Sequence, residues 1–144
     1  RETGAALLVL AELHIENRSF EEAEAACNEA QSIFKGLKHK RGQAYALQRM
    51  ALVHMAKDEP EKALKVAEQA KSMCRAGEDR DGEIQTLYML AHTNLERSMR
   101  SLEALDGQKK GGVYPMNEHW RTLRRSNKEA SKTARFAHAL ASMS

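Results

Sequence analysis

The sequence is poor in aromatic residues, proline and cysteine. Its 144 residues include one tryptophan, three tyrosines, three phenylalanines and two prolines, whereas alanine, glutamate, lysine and leucine dominate. This composition is typical of packed helices and argues against a sheet protein. No apolar stretch approaches the about 20 residues that span a bilayer, and no signal or transit peptide is recognisable. We therefore predict an all-α chain without a transmembrane segment.

Cysteine is also too scarce for a disulfide framework. Cys27 and Cys74 lie 47 residues apart, and neither belongs to a CxxC pair. Free cysteine usually behaves as a small buried hydrophobe, and unpaired thiols fit a reducing compartment. We expect an intracellular protein, cytoplasmic by default, with an organelle left open.

What the sequence does have is a repeat of 40 residues. Such a period is the mark of a solenoid, whose units bury their apolar faces by stacking on each other. The positions that recur in register are Leu7, Leu47 and Leu87; Ala11, Ala51 and Ala91; His14 and His54; Glu21 and Glu61; Ala23 and Ala63; and Ala30 and Ala70.

Apolar residues at three- and four-residue steps predict two helices in each period. Ser19 is a candidate N-cap, Pro60 suits the first position of a helix, and Gly77 suits a helix end. The predicted helices cover residues 2–16, 20–36, 42–56, 60–76, 82–96 and 117–142.

This pattern resembles the tetratricopeptide repeat over residues 1–97, divided as 1–40, 41–80 and a first helix at 81–97. The family's small residue in each first helix matches Ala11, Ala51 and Ala91, and the large residue before it matches Leu10, Met50 and Leu90. The small residues of its second helix match Ala23-Cys27-Ala30 and Ala63-Ala67-Ala70. His14, His54 and Asn94 stand where the family usually has an aromatic residue, and Pro60 is another departure. The resemblance implies a right-handed α-solenoid of antiparallel helix pairs, here followed by a long basic C-terminal helix.

The pattern fails after residue 97. We predict an insertion with a flexible loop over 98–116 and a basic helix within 117–144. Ala130, Ala134 and Ala137 repeat the spacing of the second helices, so this helix is either the displaced second helix of repeat three or an unrelated cap. The first alternative places these alanines against Leu90, Ala91 and Asn94. It also leaves an exposed apolar tip at Trp120 and Leu123.

The charge is divided between the two parts of the chain. Residues 1–107 contain 15 lysines and arginines against 18 aspartates and glutamates, whereas residues 108–144 contain 8 against 2. A solvated basic face is favoured over nucleic-acid binding, because the tail lacks interleaved aromatic residues that stack bases. The alternative is a peripheral contact with an anionic surface, either membrane or nucleic acid. The predicted basic face consists of Arg124, Arg125, Lys128 and Lys132.

No pattern in the sequence indicates catalysis. The chain has no HExxH motif, no metal-ligand spacing of histidine and cysteine, and no glycine-rich phosphate loop. His14 and His54 recur at one repeat position, which indicates packing. We predict no enzyme activity, no catalytic residue, no metal and no cofactor.

The resemblance instead implies a concave groove lined by the first helices. By repeat position the groove begins with Leu8 and Glu12, and its predicted partner-binding residues are Tyr45, Gln48, Arg49, Leu52, Met55, Gln85, Tyr88, Met89 and His92. The alternative is that these side chains contact neighbouring helices. The predicted function is a non-catalytic protein–protein interaction scaffold, or a subunit of a multisubunit complex. We expect the chain to be cut from a longer array or built into a larger assembly.

Overall fold

The computed structural model describes the backbone of residues 2–108 and 118–142, and the side chains of 2–103, 125, 128–139 and 142. The described residues form six α-helices, so the all-α prediction is confirmed for this part of the chain. The helices are α1 (Glu2–Glu16), α2 (Phe20–Gly36), α3 (Lys40–Ala56), α4 (Pro60–Ala76), α5 (Arg80–Gln108) and α6 (Glu118–Ser142).

The chain divides into two compact units, Arg1–Thr86 and Leu87–Ser144. In the first unit, each helix packs on the next in chain order, and α1 also contacts α3. This consecutive packing of short-linked helices is consistent with a helical solenoid.

Small residues hold the helices of the first unit close together. One core cluster joins Ala11 of α1 and Ala23 and Cys27 of α2 to Met50 and Val53 of α3. Ala51, Ala63, Ala67 and Ala70 have no exposed surface. Alanine and cysteine permit this approach, whereas larger side chains at such positions overpack a core.

The turns between the first five helices repeat one geometry every 20 residues. In each turn one non-glycine residue adopts a left-handed backbone, with φ between 52° and 66°. The amide of the following residue then donates to the carbonyl five residues earlier, at 2.8–2.9 Å. A left-handed residue costs about 1–2 kcal/mol without glycine, and this hydrogen bond offsets part of the cost because it satisfies a carbonyl at the end of the preceding helix. The left-handed residues are Arg18, Lys38, Asp58 and Glu78.

The helix starts follow the sequence only in part. Pro60 opens α4 as predicted, and Gly77 follows its end. Ser19 occupies the N-cap position of α2, but its side chain makes no capping hydrogen bond, in contrast to the prediction. The capping side chains are His39 Nδ1, which accepts from Gly42 N at 2.9 Å, and Asp79 Oδ1, which accepts from Gly82 N at 3.2 Å.

The fifth helix is longer than the sequence pattern predicts. We expected an insertion from residue 98, but α5 continues to Gln108. Residues 97–105 contain no glycine or proline, and the Ser98 and Ser101 hydroxyls bond back to carbonyls of their own helix at 3.0 Å. The end of a repeat pattern is therefore not the end of a helix. The predicted flexible loop retains only residues 109–116, which lie outside the described residues.

Candidate functional site

A cavity of about 500 Å³ opens between the N-terminal halves of α1 and α3. Its apolar lining comes mainly from α1, and Phe34 at the end of α2 is buried beneath it. This volume lies within the range of pockets that hold ligands. The lining residues are Glu2, Ala5, Leu8, Val9, Glu12, Phe34, His39, Arg41, Gly42 and Tyr45.

An ion pair links the two helices beside this cavity. Arg49 Nη1 lies 2.7 Å from Glu12 Oε1, and the opposite guanidinium nitrogen donates to the Tyr45 hydroxyl at 2.9 Å. The guanidinium carbon also lies 4.8 Å from the centre of the Tyr45 ring, within cation–π distance. Glu12 and Arg49 therefore fix where Tyr45 stands at the edge of the cavity.

Arg41 and His39 supply further polar groups to the cavity lining. Arg41 Nε lies 3.1 Å from the buried Asp79 carboxylate, while most of the Arg41 side chain remains exposed. His39 caps α3 through Nδ1, as described above. The apolar lining is thus bordered by carboxylates on α1 and by basic side chains from α3 and the turn before it.

The predicted groove residues of the first unit fall into different environments. Tyr45 is 42% exposed and lines the cavity, and Arg49 is half-buried beside it. Gln48, however, is buried, and its amide donates to Gly82 O at 3.0 Å and Thr86 Oγ1 at 2.7 Å. Gln48 therefore ties α3 to the start of α5. The other three are the half-buried Leu52 and Met55 and the exposed Gln85.

The remaining predicted groove residues lie in the second unit. Tyr88 is 50% exposed, Met89 is half-buried, and the exposed His92 has Nδ1 3.8 Å from Glu96 Oε1. Their role in partner binding stays a prediction.

The described basic side chains of α6 are exposed. Arg125, Lys128 and Lys132 of the predicted basic face are joined by Arg135. Lys128, Lys132 and Arg135 border an open concavity of about 590 Å³ that also includes the 47% exposed Phe136. The side chains of Arg124, Trp120 and Leu123 lie outside the described residues.

The alanine stripe of α6 is only partly buried. Ala137 has no exposed surface and Ala130 is half-buried, but Ala134 is exposed. The displaced-helix alternative, with these alanines against Leu90, Ala91 and Asn94, stays a prediction.

Two apolar residues of the cavity lining, Ala5 and Val9, are not among the predicted groove residues. They lie one 40-residue period before Tyr45 and Arg49, which are among them. Applying the period to the first repeat at these two positions would have found them.

The thiols of the described core are poorly suited to nucleophilic chemistry. Burial raises the pKa of Cys27 to about 11 and also raises the pKa of Cys74. Both cysteines are free and buried, and a buried thiol stays protonated and unreactive. Within the described ranges, no three histidine, cysteine or acidic side chains cluster as metal ligands, and no helix is long and apolar enough to cross a membrane.

No family model matches the chain, and no curated protein matches it. The resemblance to the tetratricopeptide repeat therefore rests on the residues that carry it and on the consecutive helix packing of the first unit.

Proposed function

We propose that the chain is a non-catalytic binding module of the tetratricopeptide-repeat type, which captures a segment of another protein. The observation that carries this proposal is the apolar cavity between α1 and α3, the two helices that the resemblance assigns to the concave face. Binding by this face makes the module either a scaffold or a subunit of a larger complex.

The lining of the cavity indicates what kind of segment it accepts. Ala5, Leu8 and Val9 offer an apolar wall, so a large aliphatic or aromatic side chain of the partner enters here. Tyr45 adds a partly exposed aromatic ring, a residue type enriched at interfaces. The flanking carboxylates and the Arg41 guanidinium then contact polar groups of the partner on either side of its apolar anchor.

Peptide selection with matched variants tests the proposal. Peptides are selected from a random phage-displayed library on the wild-type chain, and their affinities are measured by fluorescence polarisation. Val9, which is 58% exposed, is changed to glutamate to place a charge on the apolar wall. Leu95, which is 51% exposed on α5, is changed to glutamate as the control.

We expect Val9→Glu to weaken peptide binding at least about tenfold, which corresponds to a loss of about 1.4 kcal/mol of binding free energy. Leu95→Glu should leave the affinity unchanged, and both variants should retain the wild-type helical circular dichroism. Selected peptides that bind the Val9→Glu variant with wild-type affinity would place the binding surface elsewhere.

A further inference from the structure

The outward side of α6 can be located from Ala137, which has no exposed surface. At about 100° per residue, the positions nine, five and two before this alanine and two after it lie on the opposite side of the helix. We call these four residues the outer face of α6, and all are exposed: Lys128, Lys132, Arg135 and Ala139.

The corresponding face is also open in helices of the first unit. Ala30 of α2 and Ala70 of α4 have no exposed surface, and the residues at the same four offsets from them are exposed in both helices. Since α2 packs against both α1 and α3, this face stays open in a helix that has neighbours before and after it. Its exposure is therefore not a consequence of where a chain begins or ends. The residues are Glu21, Ala25, Asn28 and Ser32 of α2, and Glu61, Lys65, Glu68 and Ser72 of α4.

Charge distinguishes α6 from these two helices. At the four positions α2 has one glutamate and no lysine or arginine, and α4 has two glutamates and one lysine. In α6 three of the four positions are cationic, and the exposed Arg125 continues the row toward the helix start. The row extends over about 15 Å at the helical rise per residue. The four cations of α6 in this row are Arg125, Lys128, Lys132 and Arg135.

These cations lack the partners that lysine and arginine have in the first unit. Within the part of the chain that the structure describes, the four cations of α6 form no ion pair, although Glu129 lies on the same helix. Unpaired positive charge concentrated on one face attracts an anionic partner from outside the chain. In contrast, six basic side chains of the first unit each contact a carboxylate: Arg41, Arg49, Lys57, Lys62, Lys71 and Arg75.

Apolar groups beside the cations indicate which anionic partner fits. Phe136, which is 47% exposed, and Ala139 line the open concavity that Lys128, Lys132 and Arg135 border. A bilayer offers anionic headgroups to the cations and apolar material directly beneath them to the ring. The phosphate backbone of a nucleic acid satisfies the cations alone. The surface composition of α6 therefore favours a lipid surface over a nucleic acid.

The spacing of the cations also suits lipid. Headgroups move laterally in a bilayer, so they can meet charges at any separation along the helix, whereas an acidic protein would need a matching row of carboxylates. Lysine and arginine stems lie along apolar surface while their charged ends reach outward. The same side chains can therefore accompany the Phe136 ring to the level of the headgroups.

We propose that the outer face of α6 is a docking site for an anionic lipid surface. The helix lies along the plane of the membrane, with its four cations among the headgroups and Phe136 beside them. This inference does not depend on the proposed function, because it uses none of the residues that line the cavity between α1 and α3.

Cosedimentation of the full chain with lipid vesicles tests the proposal. The vesicles contain phosphatidylcholine alone or with about one third phosphatidylserine, which gives them a negative surface potential. The wild type should bind only the anionic vesicles and should be released as salt concentration rises. Lys132→Gln with Arg135→Gln should weaken binding about 25-fold, since each basic residue near such a surface contributes about fivefold.

Two further variants separate the outer face from net charge. Lys35→Gln with Lys65→Gln removes the same charge from exposed positions on α2 and α4, and it should bind nearly as the wild type does. Arg125→Gln with Lys128→Gln should repeat the loss from the other half of the row. All variants should retain the wild-type helical circular dichroism.

Four results would overturn the proposal. The wild type could fail to bind the anionic vesicles, or it could bind phosphatidylcholine equally well. The Lys35 and Lys65 variant could lose as much binding as the two α6 variants, which would indicate net charge alone. A double-stranded DNA oligonucleotide or polyglutamate could bind α6 more tightly than the vesicles do, which would assign the face to nucleic acid or to an acidic protein.

Discussion

Replacing Gly42 with alanine should destabilise the first unit strongly, because this glycine permits Phe34 to pack against the start of α3. A Cβ atom at Gly42 would lie 2.3 Å from Phe34 Cδ1 and 2.5 Å from Phe34 Cγ. Favourable carbon contacts begin near 3.5 Å, so the ring or the helix would have to move by about 1 Å. Phe34 is only 5% exposed, and a Cβ on Gly4 would lie 2.8 Å from its Cζ. The ring is therefore packed closely against both α1 and α3.

The size of the effect follows from this confinement. Overpacking a core typically costs about 1–3 kcal/mol. Complete loss of the phenylalanine packing, at about 3–5 kcal/mol, is the upper limit. A loss of about 2 kcal/mol lowers the Tm of a domain as large as the first unit, Arg1–Thr86, by roughly 8–16 °C.

Gly36 provides the matched control. It ends α2, and a Cβ atom placed on it would meet nothing within 4 Å. Gly36→Ala should therefore stabilise the protein by about 0.4–1 kcal/mol, because alanine restricts the unfolded chain without a clash.

Urea unfolding followed by far-ultraviolet circular dichroism measures both changes. A double-mutant cycle with Phe34→Ala adds a direct test. Gly42→Ala should cost less once the ring is absent, because only His39 Nδ1, at 2.7 Å from the Cβ atom, then remains of its three nearest neighbours. Equal stability of the Gly42→Ala variant and the wild type would refute the packing argument. So would an undiminished cost of Gly42→Ala in the Phe34→Ala background.

Three further predictions concern the core and the turns. Ala51→Leu should lower the free energy of unfolding by about 1–3 kcal/mol, because Ala51 is fully buried; an unchanged urea midpoint would contradict this. Burial raises the pKa of Cys27 to about 11, so a thiol reagent at neutral pH should label it only as the protein unfolds, and labelling within the mixing time would disprove its burial. The pKa of the Glu59 carboxyl is lowered mainly by a hydrogen bond from Lys62, with a smaller effect from the hydrogen bond to His54. The stability that Glu59 contributes is therefore present above the ordinary pKa of glutamate and is lost as pH falls through the lower folded-state pKa. In urea unfolding at a series of pH values, the free energy of unfolding of the Glu59→Gln variant should fall less steeply at acid pH than that of the wild type. The same dependence on pH in both proteins would rule this out.

Much of the helical architecture could be predicted because local patterns carry it. The bounds of α1, α2 and α4 follow from apolar spacing and from breakers such as Pro60. The end of α5 could not be predicted in the same way, because its continuation depends on helix propensity after the repeat pattern has stopped. Ser98 follows the last residue of the repeat pattern, yet it lies within α5 and is only 2% exposed.

The candidate site was predictable to the extent that it depends on repeat register. The resemblance, carried over by repeat position, predicts Tyr45 and Arg49 on the groove side of α3, and in the structure Tyr45 lines the cavity and Arg49 lies beside it. It could not show that Gln48 turns into the protein to bind Gly82 O and Thr86. A polar side chain at a groove position has two available environments, and only its neighbours decide between them.

The sequence by itself determined the bounds of α1, α2 and α4, the 40-residue register and the small residues that let paired helices approach. These features depend on side chains only a few residues apart or on a repeated spacing. Tertiary structure decided which repeated positions are covered. Leu13 and Val53 occupy the same repeat position, yet Leu13 is 50% exposed and Val53 is fully buried. The difference arises because α2 packs on α3, whereas no described helix covers that face of α1.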